Sequence, residues 1–346
     1  KFTLIYIVLI YIVLIYIVLV MEYNIQTRKR LYKKITEGLN KTGRGALQIV
    51  KDKLLGKGFQ GTVYSYCDKQ TCVAVKKMYL ENRQVRFLKK PFSHNALKYE
   101  NFIELAVMRM TNELVLQKIS PHFILHYKST FKKREEGACT DQYLYSSKYY
   151  NELISGSETF SQWVRNKHDI DTWYNAYFQI TTAIYCLQSY FNLTHLDLHS
   201  DNILVKRVKP GGVWRYKING KNYYVPNYGY IFYINDFGHA WIPDSLQSWI
   251  VRKKYKGKNK KIYRNFDIMR LFQSTLDFST SPASFKLTIR NIINDLGNDK
   301  NFIHIIESIW DFYNKKSKGK IIESYNLDKS INTKKLPSEL THLVLR

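Results

Sequence analysis

His195-Leu-Asp197-Leu-His199-Ser-Asp201-Asn202 gathers acids, imidazoles and an amide directly after the strongest helical pattern in the chain. Upstream, Trp173, Tyr177, Ile180, Ile184, Leu187 and Phe191 recur at three- and four-residue spacing, the stripe of a buried helix over residues 172–191. A polar loop tethered to a buried helix holds its side chains in place, so Asp197 and Asn202 are candidates for chemistry. Downstream lies Ile234-Asn-Asp236-Phe-Gly238, an acid between a strand and a Phe-Gly pair able to turn sharply.

Toward the N-terminus, Gly56-Lys57-Gly58-Phe59-Gln-Gly61-Thr-Val63 joins two β-like runs. A dinucleotide-binding turn would join a strand to a helix, so that reading is disfavoured. Glycines at this spacing let a hairpin backbone close over phosphates, because no Cβ blocks the approach. Val73-Ala74-Val-Lys76 follows. On a strand Ala74 and Lys76 share a face; the small residue leaves room for a flat base, and the ammonium reaches phosphate oxygens. Phosphoryl transfer needs a carboxylate to orient the attacking hydroxyl, two oxygen ligands for Mg²⁺ and a cation on the phosphates. Asp197, Asn202, Asp236 and Lys76 supply that set in a workable order.

Over roughly residues 49–315 the chain resembles the protein kinase superfamily, since the glycine loop, V-A-V-K, H-x-D-L-x-x-x-N and D-F-G occur in order. The resemblance implies an α+β, bilobal protein-kinase-like fold. A β-rich N-lobe spans about 49–151 and an α-helical C-lobe about 155–315, with a β-hairpin insert before D-F-G. It implies ATP and Mg²⁺ as cofactors. Gly56, Lys57, Gly58, Phe59 and Gly61 form the phosphate loop, Val63 and Ala74 sandwich adenine, and Lys76 binds the α/β-phosphates. Asp197 is the catalytic base, Asn202 and Asp236 are the Mg²⁺ ligands, and Glu152-Leu-Ile154 is the hinge. His199 stands where protein kinases place a lysine on the γ-phosphate. Asp267 resembles the aspartate of a central helix that holds the catalytic loop. The lysine's partner is Glu104 or Glu113. The family pattern puts an apolar residue one turn after the partner, and Met108 fits where Gln117 does not, so the resemblance favours Glu104.

Departures from the pattern shape the reading. Leu196 replaces the arginine before the catalytic aspartate, so switching through a phosphorylated activation loop is not expected. No Ala-Pro-Glu follows D-F-G, which leaves the peptide-docking surface open. D-L-H-x-x-N is similar to small-molecule and aminoglycoside kinases. The leading expectation is a serine/threonine protein kinase. A small-molecule phosphotransferase is the second reading, and a pseudokinase scaffold the third. The hairpin insert at about Lys209–Tyr230 and the 112–123 stretch, Asn-Glu-Leu-Val to Ser-Pro-His-Phe, resemble divergent kinases of large DNA viruses.

Composition bounds the rest. Hydrophobic residues at 45% and aromatics at 15% exclude a disordered chain. The net charge of +26 arises from 54 Lys+Arg against 28 Asp+Glu. Lys, Asn, Ile, Tyr and Phe have A/T-rich codons, so part of that charge reflects base composition, and nucleic acid is not specifically indicated. The dense run Arg252–Arg264 is either a solvated loop or a dock for an acidic or phosphorylated protein substrate. A monomer is expected. Cys67, Cys72, Cys139 and Cys186 show no metal or disulfide-scaffold spacing and read as reduced intracellular thiols. Residues 2–20 are apolar apart from Thr3, roughly 28 Å as a helix, with a basic arm at 21–48 behind them. They read either as a membrane anchor with a cytoplasmic body or, given the threefold Ile-Tyr-Ile-Val-Leu repeat, as spurious translation upstream of Met21. The expected location is intracellular, in the cytoplasm, of a host cell if the source is viral. Residues 316–346 read as a loose polar tail.

Overall fold

A computed structural model describes residues 24–42, 46–58, 61–69, 71–133, 145–248, 251, 253, 265–297, 302–313 and 319–345. The expectations for residues 2–20, Phe59, Cys139 and most of 252–264 lie outside the described residues. Among the described residues no helix is long and apolar enough to cross a membrane.

Strands β1 (Val50–Gly58), β2 (Gly61–Cys67), β3 (Cys72–Leu80), β4 (His126–Lys133) and β5 (Tyr145–Glu152) form one antiparallel sheet in the order β1-β2-β3-β5-β4. Its register sets Val63 opposite Lys76 and Ser65 opposite Ala74. Opposed residues face the same way, so Val63, Ala74 and Lys76 share one side of the sheet.

Two kinds of glycine occupy the β1–β2 hairpin. A Cβ on Gly61 would meet the Lys77 carbonyl oxygen and the Met78 side chain at 2.4 and 2.8 Å, whereas Gly56 and Gly58 have nothing within 4 Å. Gly61 is thus required by packing against β3, and the other two leave open space. Gly61→Ala should destabilise the fold by about 1–3 kcal/mol, and Gly56→Ala should leave the urea midpoint almost unchanged.

One expectation is corrected at the far end of this β2–β3 pairing. Cys67 and Cys72 are register partners with Cα atoms 4.1 Å apart and form a disulfide, so they are not reduced thiols. Hairpin pairing brings them together, which spacing rules for metal or redox motifs do not anticipate. Cys186 is free and buried.

The basic arm is also more ordered than its composition implies. Helix α1 (Ile25–Asn40) starts at Asn24, whose side chain accepts from the Thr27 N–H at 2.9 Å. It buries Ile25, Arg28 and Ile35. Helix α2 (Glu100–Leu116) lies on the Lys76 side of the sheet, where Tyr149, the β5 partner of Lys76, donates its hydroxyl to the Asn101 carbonyl at 2.7 Å.

Helix α3 (Ile170–Phe191) is capped by Asp169, which accepts from the Thr172 N–H at 2.7 Å, and ends at left-handed Asn192. The predicted stripe from Trp173 to Phe191 is buried. Its other face is buried as well: Asn175 donates to the Pro226 carbonyl at 2.6 Å, and Gln179 bonds the Tyr230 carbonyl and the Phe232 N–H.

Those acceptors belong to the strands that follow. The short β6 (Glu158–Thr159), β7 (Ile203–Arg207) and β10 (Tyr230–Ile234) form one sheet. Strands β8 (Val213–Ile218) and β9 (Lys221–Pro226) form a hairpin through Asn219-Gly220, both at positive φ. Helices α4 (Phe266–Asp277), α5 (Ala283–Gly297) and α6 (Phe302–Trp310) follow. The architecture is mixed α and β, compatible with the α+β expectation.

The loose tail is a second correction. Strand β11 (Ile321–Asn326) pairs in parallel with β8, and Tyr325, Leu327, Ile331, Leu336, Leu340 and Leu343 are buried. Tyr325, Leu327, Ile331 and Leu336 stand among lysines, asparagines and other polar residues, so the sequence around them reads as a polar segment.

Candidate active site

Lys76 Nζ lies 2.7 and 2.8 Å from the two carboxylate oxygens of Glu104 and 3.3 Å from Asp236 Oδ1. Strand β3, helix α2 and the turn after β10 therefore converge on one ammonium. Glu113 instead accepts from the Gln117 amide at 2.8 Å, while Met108, one turn beyond Glu104, is buried. Of the two glutamates, Glu104 is the one that pairs with Lys76. Burial penalises the Lys76 ammonium, but Glu104 and Asp236 outweigh it and raise its pKa. Burial raises the Glu104 carboxyl to about 7 against the pull of Lys76. Asp236 is held below the usual carboxylate range, with Lys76 and His195 overcoming its desolvation.

The 195–202 loop is fixed from below by Asp267 of α4, which is fully buried. It accepts from the His195 N–H at 2.6 Å and the Leu196 N–H at 2.9 Å. Burial raises the Asp267 carboxyl, opposed by His195 and these backbone bonds. His195 Nε2 lies 2.9 Å from the Asn235 carbonyl, and the Asn235 N–H donates to the Asn202 carbonyl at 3.0 Å. The loop and the segment carrying Asp236 are thereby stitched together. Asn202 Nδ2 donates to the Asp197 carbonyl at 2.9 Å and lies 3.1 Å from His199 Nε2, itself 3.8 Å from Asp197 Oδ2.

The site's fit to Mg²⁺ rests on donor chemistry. With the Asn202 amide nitrogen committed to a carbonyl, its oxygen remains as an acceptor, and the charged Asp236 carboxylate is 37% exposed. Among the described residues no group of three or more His, Cys, Asp or Glu side chains could cage a metal ion. Two oxygen donors suit an ion that takes its remaining ligands from phosphates and water.

A protein of Invertebrate iridescent virus 6, provisionally named a serine/threonine-protein kinase, is 26% identical across 54% of this chain and 35% of its own length. A Frog virus 3 protein with the same provisional name is 42% identical across 17% of this chain and 7% of its own. An uncharacterized protein of Acanthamoeba polyphaga mimivirus is 29% identical across 37% of this chain and 16% of its own. No family model matches the chain. The chain is distantly related to viral kinase-like proteins. It spans about a third or less of the length of these relatives.

The remaining expected residues divide. Ala74 and Val63 flank Lys76 on the shared face, with Gly56 and Gly58 on the neighbouring strand. The Glu152 side chain does not join them. It is buried against Arg28 of α1, whose guanidinium reaches its two oxygens at 2.9 and 2.7 Å. Glu152 is the register partner of Val73, next to Ala74 in β3, so the side chain takes the opposite face. Ile154 is buried in the main core.

Arg270, His239 and Glu100 were not legible in the motifs. Arg270 Nη1 donates to Asp197 Oδ1 at 3.1 Å and to the Leu196 carbonyl at 3.2 Å. His239 Nδ1 lies 3.5 Å from Asp197 Oδ2, and its Nε2 3.3 Å from Glu100 Oε1. Two cationic side chains from separate elements thus converge on the Asp197 carboxylate. Burial would raise the Asp197 carboxyl, but His239, His199 and Arg270 bring it down to about 2.

Proposed function

We propose that the chain is an ATP- and Mg²⁺-dependent protein kinase acting on serine or threonine hydroxyls. The observation that carries this reading is the meeting of Lys76, Glu104 and Asp236 beside the Asp197–Asn202 loop. In this reading the five-stranded sheet with α2 is the smaller lobe and α3 to α6 form the larger one, with the β8–β9 hairpin as an insert. The chain would work inside the cell, where ATP is abundant.

ATP would lie on the face shared by Val63, Ala74 and Lys76, with its phosphates beneath the open Gly56–Gly58 strand. Lys76, oriented by Glu104, would hold the phosphates. Asn202 and Asp236 would hold Mg²⁺, which neutralises phosphate charge. Asp197 would accept a hydrogen bond from the substrate hydroxyl and then its proton, as the oxygen–phosphorus bond forms and the bond to the β-phosphate oxygen breaks. Because Asp197 is ionised at neutral pH, its main contribution is orientation.

A small-molecule phosphotransferase is favoured by one observation, the proximity of His199 to both Asp197 and Asn202. Radiolabelled ATP offered with casein-like and histone proteins, and separately with a metabolite panel, discriminates the readings. Label in protein is expected; label in metabolites alone would favour the second. The expected thermal upshift with ATP·Mg²⁺ is about 3 kcal/mol equivalent at a hundredfold excess over Kd. No upshift would point to a scaffold without nucleotide.

A further inference from the structure

We propose that Arg270 and His239 are positioning residues that together clamp the Asp197 carboxylate for phosphoryl transfer; this rests on the kinase reading above. Each cation takes a different oxygen of Asp197: Arg270 Nη1 reaches Oδ1 at 3.1 Å and His239 Nδ1 reaches Oδ2 at 3.5 Å. A carboxylate gripped at both oxygens cannot rotate freely, yet each oxygen keeps a lone pair for the incoming hydroxyl. Holding the base in an attack-ready orientation is what a transfer step of this kind requires.

The source of each cation gives the clamp its rigidity. Arg270 lies three residues after Asp267 on α4, so both project from one face of the helix. Asp267 binds the N–H groups of His195 and Leu196, and Arg270 binds the Leu196 carbonyl and the Asp197 side chain. Between these grips Leu196 sits at φ 62, a left-handed conformation that leucine rarely adopts. One helix therefore fixes both the backbone of the loop and the carboxylate it presents.

His239 provides the second tie. Both of its ring nitrogens approach carboxylate oxygens, Asp197 on one side and Glu100 on the other. The nearby carboxylates of Asp197 and Glu100 outweigh burial and raise its pKa to about 10, which keeps it an imidazolium at neutral pH. Glu100 stands one turn before Glu104 on α2, the partner of Lys76. The helix that orders the phosphate-binding lysine is thus tied to the carboxylate that receives the hydroxyl.

Arg270 and His239 are each about a third exposed, so they can be replaced with little loss of core packing. Purified wild type, Arg270→Met, Arg270→Lys and His239→Leu should be compared under saturating protein substrate. Arg270→Met and His239→Leu should each lower kcat by about tenfold to a hundredfold, with KM for ATP and the ATP·Mg²⁺ thermal shift close to wild type. Arg270→Lys should recover part of kcat. Wild-type kcat in both Arg270→Met and His239→Leu would overturn the clamp alone. Loss of nucleotide binding in step with kcat would overturn it too, by assigning these residues a merely structural role. A wild type that turns over no ATP would overturn the kinase reading and the clamp together.

Discussion

Asp197→Asn should reduce kcat by on the order of 10²–10⁴ while leaving ATP affinity nearly intact. The substitution preserves size and removes the negative charge. The amide can neither accept the hydroxyl proton nor hold both cations that converge on this position, Arg270 and His239. ATP affinity should survive because the phosphate-binding cluster is separate: Lys76 is paired with Glu104 and Asp236, not with Asp197. Steady-state turnover at saturating substrate, alongside calorimetric nucleotide binding, separates the two quantities. Unchanged kcat would remove Asp197 from the mechanism.

Arg28→Met should destabilise the fold by about 3–5 kcal/mol, more than Gly61→Ala. Arg28 is 2% exposed and Glu152 6%. The guanidinium donates to both Glu152 oxygens and to the carbonyls of Pro121 and Phe123, and it lies over the Tyr233 ring. Removing it strands a buried carboxylate and two carbonyls. Adding Glu152→Gln should restore part of the loss, because the amide keeps an acceptor for the Leu125 N–H without an uncompensated charge. Urea unfolding of the two single variants and the double variant measures this coupling. Equal midpoints for wild type and Arg28→Met would show that the Arg28–Glu152 pair contributes nothing to the fold's stability.

The contrast between these two positions explains what was legible in sequence. Lys76, Asp197, Asn202 and Asp236 belong to short motifs whose residue types and spacing singled them out as candidates, and the Glu104 choice followed from the pattern of the family that the chain resembles. Arg28 and Arg270 looked like two cations among many in a lysine- and arginine-rich chain. Their significance comes from partners 124 and 73 residues away, and for Arg28 also from burial, which no local pattern records. His239 was similarly hidden, because its partners Glu100 and Asp197 lie on separate elements.

The fold divides along the same line. Helix α3 was readable because one stripe of apolar residues recurs at helical spacing. The β8–β9 hairpin was readable because Asn219-Gly220 tolerates the positive φ values its turn demands. The C-terminal segment was not: β11 is stabilised by parallel pairing to β8, a contact between distant parts of the chain. The Cys67–Cys72 bond was missed for a related reason, since only the strand register brings the two residues opposite each other.

Phosphoamino-acid analysis after incubating the purified chain with radiolabelled ATP, Mg²⁺ and a mixed protein substrate tests the central claim most directly. The account predicts label on serine or threonine that depends on Mg²⁺ and falls at least a hundredfold, on the order of the kcat loss, in Asp197→Asn. Absence of label from wild-type reactions, or equal label with Asp197→Asn, would contradict it.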